Sequence, residues 1–160
     1  MKKISLKKYL FSSIAIASVS LFLTACDKDE SNDDNTKTYI LSGSASGSQE
    51  VPAVTTNASG TLNGSYNSST NTLSYNITWT GLSGAASVAH FHGPAATGVS
   101  AGVLLPIAIT TAGTDGSAAG SVIVADSVET ALLGGNVYYN VHTPANPDGE
   151  IRGQVSVNAN

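Results

Sequence analysis

Three histidines are the residues of this chain best suited to hold a metal ion. His90 and His92 stand one residue apart, and His142 is the third. On a strand, residues i and i+2 face the same way with Cα atoms about 6.6 Å apart, so both rings can reach one ion. Three imidazoles suit Zn or Cu. Histidines of this spacing can also simply hydrogen-bond loop carbonyls, and the sequence leaves both interpretations open.

Two charged residues are predicted to support the histidines. Arg152 is the only lysine or arginine from Tyr39 onward, and Glu150 lies two residues before it. A nearby cation opposes metal binding unless a carboxylate neutralises it. No catalytic constellation is recognisable, because a triad needs a nucleophile held by a base. The glycines after His92 also lack the lysine of a phosphate-binding loop. We therefore expect no enzyme activity.

Strand alternation predicts that these side chains share one solvent-facing patch. If Ala89 and Phe91 face the core, His90 and His92 face away from it. The same parity, with Val141 and Ile151 turned inward, places His142, Glu150 and Arg152 on the outward face. The predicted exposed patch consists of His90, His92, His142, Glu150 and Arg152.

The strands that must position this patch are read from alternation and turn residues. Leu73–Thr80 alternates apolar and polar residues over eight positions, which is typical of a half-buried strand. Eight strands are predicted: Tyr39–Ala45, Ala58–Tyr66, Leu73–Thr80, Ser87–His92, Val103–Ile109, Ser117–Val124, Val137–His142 and Glu150–Val157. A short helix is expected after Asp126 as an acidic cap, ending at Gly134 or Gly135. The predicted fold is all-β: an antiparallel, Greek-key-like β-sandwich of about eight strands with one short helix.

The first residues predict export and a lipid anchor. Four lysines precede an uncharged, mostly apolar run from Tyr9 to Ala25, which is the pattern of a secretory signal. Leu23-Thr24-Ala25-Cys26 resembles a bacterial lipobox, which implies a signal peptide at 1–25 and a lipid on Cys26. Residues 26–38 are acidic and polar, and are predicted to form a flexible tether. The expected location is the cell envelope at the outer membrane. The acidic run also resembles the surface-export signals of some Gram-negative lipoproteins.

The charge balance excludes nucleic acid as a partner. From Cys26 onward, eleven acidic residues face three basic ones, a net charge of −8. A chain of this charge offers no basic patch to a phosphate backbone. The same charge opposes electrostatic attraction to an anionic membrane surface.

Four motifs resemble the CHRD domain, which is named from chordin, an extracellular antagonist of bone morphogenetic proteins. They are Gln49-Glu50-Val51-Pro52, His90-Phe91-His92-Gly93-Pro94-Ala95, Tyr139-Asn140-Val141-His142-Thr143 and Gly149-Glu150-Ile151-Arg152-Gly153-Gln154. The resemblance covers about Tyr39 to Val157. It implies an extracellular β-sandwich of largely uncharacterised biochemistry. In chordin the setting is ligand binding and not catalysis, but a bacterium has no such growth factor, so that role does not transfer. Glu50 joins the predicted patch through its place in the first motif, as a bidentate partner for Arg152.

The sequence thus predicts a lipid-anchored cell-envelope protein with a single CHRD domain at 39–158. We expect a binding or adhesion module for a protein or glycan ligand, with a Cu or Zn site at the histidines. The alternative is a copper- or zinc-handling protein or a metal-dependent oxidoreductase. Convergence of the three imidazole nitrogens within about 4 Å would favour a metal. Ring nitrogens each held by a backbone carbonyl or a carboxylate would favour a structural role.

Overall fold

A computed structural model describes residues 37–159 of the chain. The predicted signal peptide (1–25), Cys26 and nearly all of the predicted tether lie outside these residues. Their interpretation therefore stays a prediction. Within residues 37–159, no helix is long and apolar enough to cross a membrane.

Ten strands and one α-helix make up the described part of the chain, with a 3₁₀ turn at Gly47–Gln49. The strands are β1 (Thr38–Ser46), β2 (Ser59–Asn67), β3 (Thr72–Thr80), β4 (Val88–His92), β5 (Val103–Ile107), β6 (Ile109–Thr111), β7 (Gly116–Ile123), β8 (Tyr138–Thr143), β9 (Asn146–Gln154) and β10 (Ser156–Ala159). The helix α1 spans Asp126–Leu133 and lies between β7 and β8.

The strands form an antiparallel sheet that folds back on itself. The hydrogen-bonded order is β5-β4-β8-β9-β1-β2-β3-β7-β6, and β10 also pairs with β1. Strands β5 and β6 lie at opposite ends of this order, although only Ala108 separates them in sequence. The chain therefore crosses from one sheet edge to the other at Ala108, whose amide donates to the Tyr75 hydroxyl at 3.1 Å. This closure confirms the predicted antiparallel sandwich.

Two predicted strands are each divided in the structure. Val103–Ile109 becomes β5 and β6, and the last strand begins at Asn146 and divides at Val155 into β9 and β10. The Val155 amide leaves the strand ladder and donates to the Val137 carbonyl at 2.9 Å. At the first break the chain exchanges β4 for β7, and at the second it leaves β8 but stays paired with β1. Alternation of apolar residues does not reveal such changes of neighbour.

The core fills the space between the two layers. In β3, Leu73, Tyr75, Ile77 and Trp79 are buried, as the alternation predicts. Opposite them lie Phe91, Tyr139, Val141 and Ile151, which come from the strands that carry the predicted site. Ring centroids of Tyr75 and Phe91 are 5.4 Å apart in an edge-to-face arrangement. The inward side chains of β4, β8 and β9 thus fix the position of these strands through core packing.

The helix confirms one terminus of the prediction and corrects the other. Ala125, not Asp126, is the N-cap, and no side chain caps the first turn. Asp126 is the first helical residue, where its carboxylate still interacts favourably with the positive end of the helix dipole. The helix ends at Leu133 as expected, and Gly135 has φ +69, the left-handed conformation that glycine adopts after helices.

Candidate metal centre

Three adjacent strands bring the histidines together. Strand β8 lies between β4 and β9, and in this register His90 is opposite Asn140, which is opposite Arg152. His142 lies across from Val88, one pleat along. One ring nitrogen from each of His90, His92 and His142 lies within 4.8 Å of the others. The three histidines thus share one face, as strand parity predicts, but 4.8 Å exceeds the separation of about 4 Å that would favour a metal.

The predicted exposure of this patch is wrong. Every residue of β8 is buried, and Glu150 and Arg152 are only 0% and 2% exposed. His90 alone is half-buried, while His92 and His142 are buried. Two connections, 47–57 and 93–102, cover this face of the sheet, as contacts from Thr56 and Ala101 to it show. Parity placed the side chains on the face away from the core, but it carried no information about long loops that fold over that face.

Hydrogen bonds fix the tautomers of two histidines. The Nδ1–H of His92 donates to the Ala101 carbonyl at 3.0 Å, and the Nδ1–H of His142 donates to the Pro147 carbonyl at 2.8 Å. A carbonyl only accepts, so Nδ1 carries the proton in both rings. In the neutral imidazole, Nε2 then presents a lone pair. Metal-binding histidines are oriented by this same type of hydrogen bond from the other ring nitrogen.

The two Nε2 lone pairs point at a third acceptor. Asn140 Oδ1 lies 3.0 Å from His92 Nε2 and 2.9 Å from His142 Nε2. His90 Nδ1 lies 3.2 Å from His142 Nε2, so a proton on His90 satisfies at most one of these lone pairs. Acceptors this close without enough donors repel one another. A cation among them, either a proton or a metal ion, would relieve this repulsion.

Protonation of the cluster is disfavoured by its surroundings. Burial lowers the pKa of His90 below the ordinary value of 6.5, and the neighbouring His142 and His92 lower it further. Burial also lowers the pKa of His142, against the opposing effect of its hydrogen bond to Pro147. At neutral pH both rings are therefore neutral, which is the form that binds metal.

Arg152 has no carboxylate partner in the part of the chain that the structure describes. Its guanidinium donates to the Val99 carbonyl at 2.7 Å and lies over the ring of Tyr138. The predicted ion pair between Arg152 and Glu50 is not formed, and no hydrogen bond joins them in residues 37–159. Glu50 is 8% exposed, and burial raises its pKa to about 7 although the Arg152 charge and the Asn140 amide act to lower it.

Glu150 has a structural role apart from the histidines. Its Oε2 accepts hydrogen bonds from Ser83 Oγ at 2.6 Å and Thr143 Oγ1 at 2.7 Å, and its Oε1 accepts from the Ser83 amide at 2.8 Å and Thr56 Oγ1 at 3.0 Å. Burial acts to raise the pKa of Glu150, but these hydrogen bonds outweigh burial and hold it below 4.5. Glu150 thus fixes the loops around Thr56 and Ser83 to β9, which keeps the histidine face covered.

Two neighbours of the histidines carried no signal that singled them out. Asn140 shares the face of His142 by parity, but in a chain rich in asparagine the residue type gives no reason to single it out. Tyr138 stacks on His92, with ring centroids 4.8 Å apart and planes 3° apart. Cross-strand register, which the sequence does not supply, decides both contacts.

A serine motif in the covering loop does not form a nucleophile. Gly98-Val99-Ser100-Ala101-Gly102 has the G-x-S-x-G spacing, but Ser100 is exposed and strand β5 follows it. A nucleophile elbow needs a strand before the serine and a helix after it. The motif therefore does not alter the interpretation of the site.

The fold and the cluster together define an antiparallel β-sandwich with a covered three-histidine centre on the face away from its core. Comparison with known families identifies this class further. The family model described as the CHRD domain matches residues 41–155. The chain therefore belongs to the CHRD domain family, as its four motifs predict. Searches of curated proteins and of solved structures find no match.

Proposed function

We propose that this protein is a lipid-anchored binding module of the cell envelope whose CHRD domain holds a divalent transition metal ion. The single observation that carries the proposal is that one ring nitrogen from each of His90, His92 and His142 lies within 4.8 Å of the others on the buried face. A metal ion placed there would take up lone pairs of which a proton on His90 satisfies at most one.

The spacing of the donor atoms supports a tetrahedral ion. Zn–N bonds of about 2.0–2.1 Å give donor-to-donor distances of about 3.3–3.4 Å around a tetrahedron. The His90–His142 nitrogen distance is 3.2 Å, and the widest separation within the cluster is 4.8 Å. The wider separation exceeds this tetrahedral distance, so the rings must shift before all three nitrogens contact one ion. The site thus approaches a metal-bound geometry without matching it.

The donor set favours Zn²⁺ or Cu²⁺ over Cu⁺. Soft thiolate and thioether ligands select Cu⁺, whereas imidazoles suit the divalent ions. The only cysteine is Cys26 and the only methionine is Met1, so the sandwich contains no sulfur ligand. The proposed anchor on Cys26 and the acidic tether would hold the domain where exogenous metal ions are accessible.

Binding rather than catalysis is the proposed role of the ion. A metal-dependent oxidoreductase is the alternative, favoured by the half-buried His90, which leaves one side of the cluster near solvent. Redox turnover of a bound Cu²⁺ with a small reductant would support that alternative. A protein or glycan as the ligand of the module stays a prediction.

Metal analysis of the full-length protein purified in detergent tests the proposal. We expect about one Zn²⁺ or Cu²⁺ per chain, and a melting temperature about 10 °C higher at an ion concentration of about 100 times Kd. His90→Ala should weaken binding by at least about tenfold, because removal even of outer groups costs 10–100-fold. Asn76→Ala, at an exposed position of β3, is the control and should bind normally. Absence of a metal-dependent shift in the unaltered protein would contradict the proposal.

A further inference from the structure

The side-chain amide of Asn140 connects the histidine cluster to a buried carboxylate. Its Oδ1 faces His92 and His142, and its Nδ2 donates to the Asp148 carbonyl at 3.4 Å. The residue is 3% exposed and lies opposite His90 in the sheet. The amide therefore separates two environments, one of imidazole lone pairs and one of oxygen acceptors.

Glu50 provides the second acceptor beside the amide. Its Oε1 is buried and has no hydrogen-bond partner among residues 37–159. Oε1 and Asn140 Nδ2 both lie close to the position that a side chain at Gly149 would occupy. Gly149 also has φ +124, where other residues are strained. The absence of a side chain at this position is what lets the carboxylate and the amide approach each other.

The acceptors on this side decide which way the amide points. Rotating the amide by half a turn would place Oδ1 against the Asp148 carbonyl and the Glu50 carboxylate. Oxygen acceptors repel one another, so this orientation is disfavoured. It would also direct Nδ2–H groups at the histidines, where they would occupy the lone pairs that a metal needs. When Glu50 is ionised, its carboxylate thus favours the orientation in which the histidines and Oδ1 all present lone pairs.

We propose that Asn140 Oδ1 is the fourth protein ligand of the metal site and that Glu50 is the positioning residue that holds the amide oxygen toward the ion. The inference rests on the proposed metal site and adds its coordination set, three nitrogens and one oxygen. The Oδ1 distances of 2.9 and 3.0 Å to the two Nε2 atoms are slightly shorter than the 3.2 Å between His90 Nδ1 and His142 Nε2. A neutral oxygen ligand also avoids placing another charge in a buried site.

A double-mutant cycle on the full-length protein tests whether Glu50 acts by orienting the Asn140 amide or only through its negative charge. Cu²⁺ is the probe, with affinity measured by competition and coordination by electron paramagnetic resonance. We expect Glu50→Gln to lower affinity by about 10–100-fold, as loss of an outer-shell partner does, and to change the spectrum. Asn140→Asp should retain binding, because both oxygens of a carboxylate are alike and need no orienting partner. In that background, Glu50→Gln should cost no more than about threefold.

Each result has a definite reading. If the unaltered protein binds no Cu²⁺ or Zn²⁺, the metal site itself is overturned. If it binds, but Glu50→Gln leaves affinity and spectrum unchanged, only the role of Glu50 and Asn140 fails. An equal loss with and without Asn140→Asp means that Glu50 acts by charge alone, which also overturns the inference. Glu129→Gln on α1 is the matched control for Glu50→Gln. If Asn140→Asp does not fold, the spectra of the unaltered protein and of Glu50→Gln still test the role of Glu50.

Discussion

The guanidinium carbon of Arg152 lies 3.4 Å from the centre of the Tyr138 ring. His92 stacks on the same ring, and because β8 lies between β4 and β9, the two reach it from opposite sides. The ring is held in place by hydrogen bonds between its hydroxyl and the backbone of Ala101, each 3.2 Å long. Arg152, the only fixed cation of the sandwich, is thus held by the face of Tyr138 and a backbone carbonyl. In turn it fixes the Tyr138 ring, against which His92 packs.

Arg152→Lys is expected to destabilise the protein although it keeps the charge. An ammonium group cannot both lie flat over Tyr138 and donate to the Val99 carbonyl, whereas the planar guanidinium does. We expect the free energy of unfolding to fall by about 2 kcal/mol, combining a desolvated cation–π contact with a weakened charged hydrogen bond. Urea denaturation measures the loss. The exposed Lys37→Arg is the control, and a change below about 0.5 kcal/mol in Arg152→Lys, within the usual range for surface substitutions, would refute the role assigned to the stack.

Glu150→Gln is expected to loosen the loops that cover the histidine face. The carboxylate accepts hydrogen bonds from Ser83 and Thr56, and an amide would direct its own NH₂ group against these donors. Because the residue is fully buried, we expect a loss of about 2–4 kcal/mol. Hydrogen–deuterium exchange should also rise in the segments around Thr56 and Ser83. Unchanged exchange in both segments would mean that Glu150 does not anchor them.

Glu50 is expected to make the protein less stable as pH rises through neutrality. Burial raises its pKa to about 7 in the folded protein, against an ordinary value of 4.5. Between these values the folded state binds more protons than the unfolded state, so the free energy of unfolding falls as pH increases. Relative to the wild type, Glu50→Gln should gain about 2–3 kcal/mol between pH 4.5 and 8.

Denaturation of both proteins across that pH range checks the prediction for Glu50. The difference between the two curves isolates Glu50, because all other groups titrate in both proteins. A constant difference from pH 4.5 to 8 would show that the carboxyl group has an ordinary pKa. Thr61→Val, far from the histidines on β2, should produce such a constant difference and serves as the control.

The histidines are expected to give the opposite pH dependence. The pKa values of His90 and His142 lie below 6.5 in the folded protein, so below that pH the unfolded state binds more protons. Their contribution to stability is present above pH 6.5 and is lost as pH falls through the lowered pKa values. In Glu50→Gln, which removes the titration of that carboxyl group, Zn²⁺ affinity should accordingly be constant from pH 8 to 6.5 and decline only below it. A decline of about tenfold per pH unit already between pH 8 and 7 in this variant would contradict neutral imidazoles at neutral pH.

The amino-acid sequence by itself determined the strands, the sides of the strands and the family. Alternation in Leu73–Thr80 needs no partner to be recognised, because a side chain's side of a strand follows from the backbone alone. The same rule correctly placed His90, His92 and His142 on one face, away from the core. The four motifs, spread from Gln49 to Gln154, were sufficient to identify the CHRD domain.

Only the tertiary structure decided the register, the burial and the hydrogen-bond partners of the site. Asn140 stands beside His90 because β4 and β8 pair in one of several possible registers, and no local pattern specifies which. The loops 47–57 and 93–102 cover a face that alternation alone predicts to be wet. Arg152 packs on Tyr138 instead of pairing with Glu50, since the choice between an aromatic face and a carboxylate depends on distances between strands that are remote in sequence. These are long-range contacts, and their geometry is set by packing of the whole sandwich.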